Sequence, residues 1–160
     1  MAPTRWYCTQ DLVNLLIIGR AHSNVFNHEM ALDEQTRLRG IPAQSSIGFL
    51  TLFEWYKNVE VGSYYKHPTY PIWVICCESH FSCIFAEDGR AAARGMLPTN
   101  LHYYDGLANQ DAPIKLTLKA GDSSAARRDE ENDLVPPLEY VLRTRWREVA
   151  VDWNDTEPLL

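Results

Sequence analysis

The sequence predicts an α+β fold in which helices pack against an antiparallel sheet. Three observations support this prediction. The 160 residues are 46% hydrophobic and 22% charged, which is the composition of one ordinary globular domain. Apolar runs of strand length follow one another through the middle of the chain. Apolar residues at helical spacing lie on either side of those runs.

Two helices are predicted ahead of the sheet. Thr9 suits the N-cap of a short helix that ends at Ile18, and Gly19 suits the left-handed position that follows a helix. The second helix is predicted over residues 46–57, which are rich in apolar side chains. The side chains expected to face the sheet are Leu12, Val13, Leu15 and Leu16 in the first helix and Ile47, Phe49, Leu50, Phe53 and Trp55 in the second.

Four strands are predicted in the centre of the chain. Residues 72–77 form a near-continuous apolar run, which is typical of a strand buried on both faces. Residues 80–85 alternate, so that Phe81, Cys83 and Phe85 share one face and His80, Ser82 and Ile84 the other. Residues 101–105 and 114–118 predict two more strands. The spacing of the four runs indicates an antiparallel meander.

The last quarter of the chain predicts a loop, a helix and a strand. Residues 121–133 are rich in Ser, Ala and mixed charges, which indicates an exposed or flexible loop. Pro136 and Pro137 suit the entry of a helix, and residues 149–153 alternate as a final strand. The whole chain, residues 1–160, is therefore expected to be one folded unit.

Charge and cysteine content exclude several classes of protein. The net charge of -6 is unsuited to an electrostatic nucleic-acid or membrane surface. No apolar stretch has the length of a membrane span and no signal peptide is evident, so a cytoplasmic or nuclear and not a secreted protein is expected. The four cysteines lack the spacing of a zinc site, and reduced thiols with neither metal nor cofactor are expected.

His80 is the residue with the clearest potential for chemistry. It begins a predicted strand just after the most hydrophobic segment, where a strand end can hold an imidazole rigidly toward a cleft. The alternative is a hydrogen-bonded histidine at a sheet edge. Asp105 ends the next strand and is the best candidate to orient His80. Its alternative is a turn aspartate before Gly106.

A thiol partner for His80 is harder to find in this sequence. A cysteine hydrolase needs a thiolate, a histidine that deprotonates it, an orienting group and an oxyanion hole. Cys76, Cys77 and Cys83 lie within predicted strands, where nothing lowers the pKa of a thiol. Cys8 lies just before the first helix, but nothing in the sequence directs it toward His80.

Long blocks of the sequence resemble the MINDY deubiquitinases, in the branch that holds the third and fourth members, and the closing blocks are most similar to the fourth. The resemblance covers most of the chain, with the blocks in family order. They are YCTQDLVNLL at residues 7–16, GRA at 19–21, SNVFN at 23–27, IGFLTLFE at 47–54, PIWV at 71–74, ESHFS at 78–82, YYDGLANQ at 103–110 and NDLVPPLE at 132–139.

This resemblance implies the C-terminal portion of a papain-like cysteine protease-type domain. It implies a thiol-dependent isopeptidase that removes ubiquitin, with a preference for chains linked through lysine forty-eight of ubiquitin. The ESHFS block places the catalytic histidine at His80. The family nucleophile lies in an upstream Gly-Pro-Cys block that this chain lacks, and Cys8 matches a non-catalytic cysteine. The chain alone is therefore expected to be nearly inert, and an inactive ubiquitin-binding or regulatory remnant is the alternative.

Overall fold

A computed structural model describes residues 8–89, 92, 94–121 and 135–158 of the chain. The described elements are, in chain order, α1 (Gln10–Ile18), β1 (Glu29–Ala31), β2 (Arg37–Arg39), β3 (Gly48–Thr51), α2 (Leu52–Trp55), α3 (Ser63–Lys66), β4 (Ile72–Cys77), β5 (His80–Ala86), β6 (Thr99–Tyr104), β7 (Ile114–Ala120), α4 (Pro137–Arg145) and β8 (Val149–Asp152). The predicted α+β class is confirmed. Beyond Gly121, the loop predicted over residues 121–133 lies outside the described residues.

The main sheet has six strands in the order β3-β4-β5-β6-β7-β8. From β4 to β8 every neighbouring pair is antiparallel, as the meander prediction requires. β3 departs from this pattern because it pairs with β4 in parallel. The sheet is therefore mixed, and the prediction of a purely antiparallel sheet is wrong at this edge.

The prediction of a helix over residues 46–57 is also wrong for the first half of that segment. Gly48–Thr51 forms β3, with all four residues buried, and only Leu52–Trp55 is helical. Pairing with β4 overrides the local helical pattern, because an extended segment here buries apolar side chains on both faces at once. Gly48 makes the close pairing possible, since a Cβ at this position would lie 2.2 Å from Trp73 Cδ1.

Helix α1 has the predicted bounds, with Thr9 at its N-cap and Gly19 in the left-handed conformation after it. Its orientation differs from the prediction. Asn14 is fully buried and donates to the carbonyl oxygens of His22 and Asn24, at 2.6 and 3.0 Å. Because these bonds turn the face of α1 that carries Asn14 toward the protein interior, Val13 beside it is buried. Leu12, Leu15 and Leu16 are exposed.

Two hydrophobic cores lie on opposite faces of the sheet. Trp73 and Ile75 of β4 point into the larger core, where Trp73 meets Trp146 after α4 with ring centroids 5.3 Å apart. Val74 and Cys76 point into the smaller core, which α1 and α3 cover. β4 is thus buried on both faces, as predicted.

Within the described residues, no helix is long and apolar enough to cross a membrane.

Candidate functional site

A tight turn between β4 and β5 fixes the position of His80. Cys77 and His80 face each other across the two strands, so Glu78 and Ser79 alone form the connection. Glu78 has a φ of 57°, a left-handed backbone that a residue other than glycine adopts at a cost. His80 is the first residue of β5. Its side chain is 42% exposed and therefore accessible to another group.

Asp105 lies directly against His80. It follows the last residue of β6, which neighbours β5 in the sheet. The Nε2 atom of His80 and the Oδ2 atom of Asp105 are 2.6 Å apart, which is a short hydrogen bond of the charge-assisted type. The side chain of Asp105 is only 9% exposed. The structure therefore brings together the two residues that the sequence singled out.

The second carboxylate oxygen of Asp105 is also occupied. Oδ1 accepts a hydrogen bond from the backbone N–H of Leu107 at 2.9 Å. Asp105 is thus a turn aspartate and a partner of His80 at the same time, and the two interpretations of the sequence are compatible. With one oxygen held by the turn and the other facing the imidazole, the plane of the carboxylate is fixed.

Gln110 is the residue of this site that sequence reasoning missed. Its Oε1 atom accepts a hydrogen bond from the backbone N–H of Asp105 at 2.6 Å. The Asp-Gly pair of the sequence signals a turn here, but it does not tell which later side chain folds back onto it. Gln110 could have been found only from the three-dimensional loop.

The environment of three thiols keeps them protonated. Burial, together with the neighbouring Cys76 and Glu78, raises the pKa of Cys77 to about 11. Burial likewise raises the pKa of Cys76 and of Cys83, and the carboxylate of Asp105 adds to the effect at Cys83. A protonated thiol is a poor nucleophile. All four cysteines are free, and Cys8 is exposed.

A cleft of about 760 Å³ opens beside the turn that carries His80. Its wall includes Cys8 and Val13 from the start of the chain and Glu78, Ser79 and Phe81 from the β4–β5 hairpin. His80 itself does not line the cleft. Cys8 therefore shares a cleft with the neighbours of His80, but the structure gives no contact between Cys8 and the imidazole.

The remaining histidines have structural partners. The imidazole of His22 donates to the carbonyl oxygen of Gly40 at 2.6 Å. His28 shares a hydrogen bond with the hydroxyl of Tyr64 at 2.8 Å. His102 pairs with Glu87 at 2.7 Å and stacks on Phe85. In the part of the chain that the structure describes, no three His, Cys, Asp or Glu side chains are grouped closely enough to hold a metal ion.

Comparisons with known proteins agree on one family. A family model described as the deubiquitinating enzyme MINDY-3/4, conserved domain, matches residues 3–155. The chain is 50% identical over 161 residues to a probable ubiquitin carboxyl-terminal hydrolase MINDY-4 from Xenopus tropicalis, and 48% identical over 164 residues to the protein of that name from Homo sapiens. It is 40% identical over 87 residues to a ubiquitin carboxyl-terminal hydrolase MINDY-3 homolog from Drosophila melanogaster.

The length covered differs between these relatives. The MINDY-4 matches cover 96% of this chain but only 21% of each relative, so the chain spans about a fifth of their length. The Drosophila match covers 54% of this chain and 15% of that relative. No solved structure matches the chain.

Proposed function

Because the chain belongs to the MINDY-3/4 deubiquitinating enzyme family, we propose that it supplies the general base of a thiol-dependent ubiquitin isopeptidase. The observation that carries this proposal is the 2.6 Å bond between His80 and Asp105. A half-exposed imidazole held by a buried carboxylate is the arrangement that a general base needs when the nucleophilic thiol comes from another segment of the enzyme. The complete domain is expected to have the papain-like arrangement.

The chemistry follows from the two ring nitrogens. Nε2–H donates to Asp105, which leaves Nδ1 as the basic atom. Among the described residues, Nδ1 of His80 has no hydrogen-bond partner. It can take the proton of a cysteine thiol as the sulfur attacks the isopeptide carbonyl, and return it to the leaving lysine amine. The carboxylate of Asp105 stabilises the imidazolium that exists between these two steps.

The nucleophile of the proposed enzyme lies outside this chain. Raised pKa values at Cys76, Cys77 and Cys83 argue against each of them as the attacking thiolate. Cys8 matches a non-catalytic cysteine in the family resemblance. We therefore assign the nucleophile to the upstream Gly-Pro-Cys block of the family. We expect this chain alone to have almost no cleavage activity.

The proposed substrate is polyubiquitin. The names of the relatives describe ubiquitin carboxyl-terminal hydrolases, and the resemblance of the sequence implies the preference for chains linked through lysine forty-eight of ubiquitin. We propose a cytoplasmic or nuclear location for the protein, which is compatible with this substrate. The competing proposal is a binding remnant that holds ubiquitin without cleaving it. The raised pKa values of the three thiols argue against cleavage by the isolated chain, as this alternative requires.

The decisive experiment uses the longer polypeptide that joins the family's upstream segment to this chain. Cleavage of di-ubiquitin is measured for the wild type, for His80→Ala and for His102→Ala. His102 is a matched control because it is also paired with a carboxylate at 2.7 Å. The His80 variant should lose on the order of 10⁴-fold or more in rate, and the His102 variant should not.

The outcomes separate the alternatives. Equal activity in the two histidine variants would remove His80 from the mechanism. A panel of di-ubiquitins of different linkage tests the preference for lysine forty-eight, since equal rates across the panel would contradict it. If no variant cleaves while the isolated chain still binds ubiquitin in an NMR titration, the binding remnant is the correct reading.

A further inference from the structure

The loop after β6 contains a second level of support for the proposed base. Asp105 leaves β6 and the chain turns at once, with the N–H of Ala108 donating to the carbonyl oxygen of Asp105 at 3.2 Å. The backbone N–H of Asp105 points the other way and meets Oε1 of Gln110 at 2.6 Å. A single side chain from the far end of the loop thus fixes the backbone of the residue that binds His80.

The orientation of the Gln110 amide is determined by this contact. The N–H of Asp105 can only donate, so the amide atom that faces it must be the oxygen. The Nε2 atom of Gln110 is then buried, and it has no hydrogen-bond partner among the described residues. A buried unpaired donor costs free energy. An apolar side chain of similar length would remove the unpaired Nε2 but would leave the backbone N–H of Asp105 without its acceptor, so Oε1 is the atom through which Gln110 acts on the site.

We propose that Gln110 is a positioning residue, whose Oε1 holds the backbone of Asp105 so that the carboxylate stays directed at His80. The proposal deepens the proposed function and rests on it for its catalytic meaning. Four hydrogen bonds meet at Asp105: Gln110 holds the backbone N–H, Ala108 the carbonyl oxygen, Leu107 Oδ1 and His80 Oδ2. Removal of the bond from Gln110 leaves the other bonds to be made but lets the backbone of Asp105 move, so the bond between the carboxylate and His80 opens more often.

Hydrogen exchange of the imidazole measures this support without any need for catalysis. The Nε2–H proton of His80 is held in the bond to Asp105, so we expect its exchange with water to be slowed as long as that bond is closed. In ¹⁵N-histidine-labelled wild-type chain, we expect a slowly exchanging Nε2–H resonance that His80→Ala removes. Asp105→Ala deletes the acceptor and should abolish the protected resonance.

The test variant is Gln110→Met, which keeps the length of the side chain and removes its acceptor. We expect the Nε2–H of His80 to exchange about three- to tenfold faster than in the wild type, the factor that one net hydrogen bond supplies. Asn109→Gly is the control, because Asn109 is exposed in the same loop and has a φ of 50° that glycine accepts. This control should keep the wild-type rate.

The opposite result overturns the proposal. If Gln110→Met exchanges at the wild-type rate while Asp105→Ala loses the resonance, Gln110 does not position Asp105. Gln110→Ala removes the same bond without added bulk and gives an independent reading should the methionine disturb the fold. Faster exchange in Gln110→Met, together with full cleavage activity in His80→Ala, would keep the positioning role and refute the proposed function.

Discussion

At the scale of single residues, His80 and Asp105 differ in how far each side chain is exposed to solvent. The carboxylate is almost fully buried, so it has few competing water contacts, while the imidazole remains 42% exposed. Burial of the acceptor strengthens its bond to His80 because the local dielectric is low. The exposed ring edge leaves room for a thiol from another segment. These two side chains were predictable from strand ends, whereas the contact from Gln110 required the folded loop.

The raised pKa of the Cys77 thiol predicts how the stability of the protein changes at alkaline pH. Its pKa is raised from an ordinary value of 9.0 to about 11 in the folded chain. The unfolded chain therefore releases this proton first, so stability present below pH 9 is lost as the pH rises toward 11. Cys77→Val removes the titration. Its urea midpoint should fall less than that of the wild type between pH 7 and about pH 10; equal losses in the two proteins would contradict the raised pKa.

The close packing around Gly48 predicts that a larger side chain at this position destabilises the protein. A Cβ at Gly48 would lie 2.2 Å from Trp73 Cδ1 and 2.4 Å from the backbone oxygen of Tyr65. Because neither neighbour can move freely, Gly48→Ala should lower the free energy of unfolding by about 2 kcal/mol or more. Gly106→Ala is the matched control, since a Cβ there meets its nearest atom at 3.9 Å. Chemical denaturation should separate the two variants clearly.

At the scale of elements, the turn between β4 and β5 stores local strain beside the site. Glu78 adopts a left-handed backbone with a φ of 57°. Glycine adopts this conformation without strain and alanine adopts it at a cost, so Glu78→Gly should be more stable than Glu78→Ala by about 1 kcal/mol. The comparison isolates the backbone, because both variants lose the same carboxylate. Thermal unfolding that ranks alanine above glycine would show that the turn is unstrained.

Elements with a strong local pattern were predictable, and those set by distant pairing were not. β4 and α1 have the bounds that the apolar run and the Thr9 and Gly19 signals indicate, and β5 extends one residue beyond its predicted end. The segment that forms β3 is predicted as helix because residues 46–57 are rich in apolar side chains, and its parallel pairing with β4 makes it a strand. The rotation of α1 depends on the buried bonds of Asn14, which no periodicity reveals.

At the scale of the whole molecule, the sheet separates a large core from a small one. Leu142 of α4 is fully buried in the larger core. Leu142→Ala should therefore destabilise the protein by about 2 to 5 kcal/mol. Leu16→Ala is the control, because Leu16 is 77% exposed and should change the stability by no more than about 0.5 kcal/mol. Similar unfolding midpoints for the two variants would refute the assignment of α4 to the core.

The overall class followed from the sequence because strands and helices occupy separate stretches of the chain. The mixed character of the sheet did not, since a parallel pair between β3 and β4 leaves no mark on either segment alone. The same limit applies to the site. His80 and Asp105 are 25 residues apart in sequence, and their contact arises because β5 begins where the neighbouring antiparallel strand β6 ends.

The most direct measurement is labelling by a ubiquitin probe that carries a C-terminal electrophile. The probe is added to this chain alone, to the longer polypeptide with the family's upstream segment, and to the His80→Ala form of each. We expect no labelling of the chain alone, and labelling of the longer polypeptide that His80→Ala greatly reduces. Labelling of the isolated chain at Cys8, Cys76, Cys77 or Cys83, abolished by His80→Ala, would contradict the account and place the nucleophile within these 160 residues.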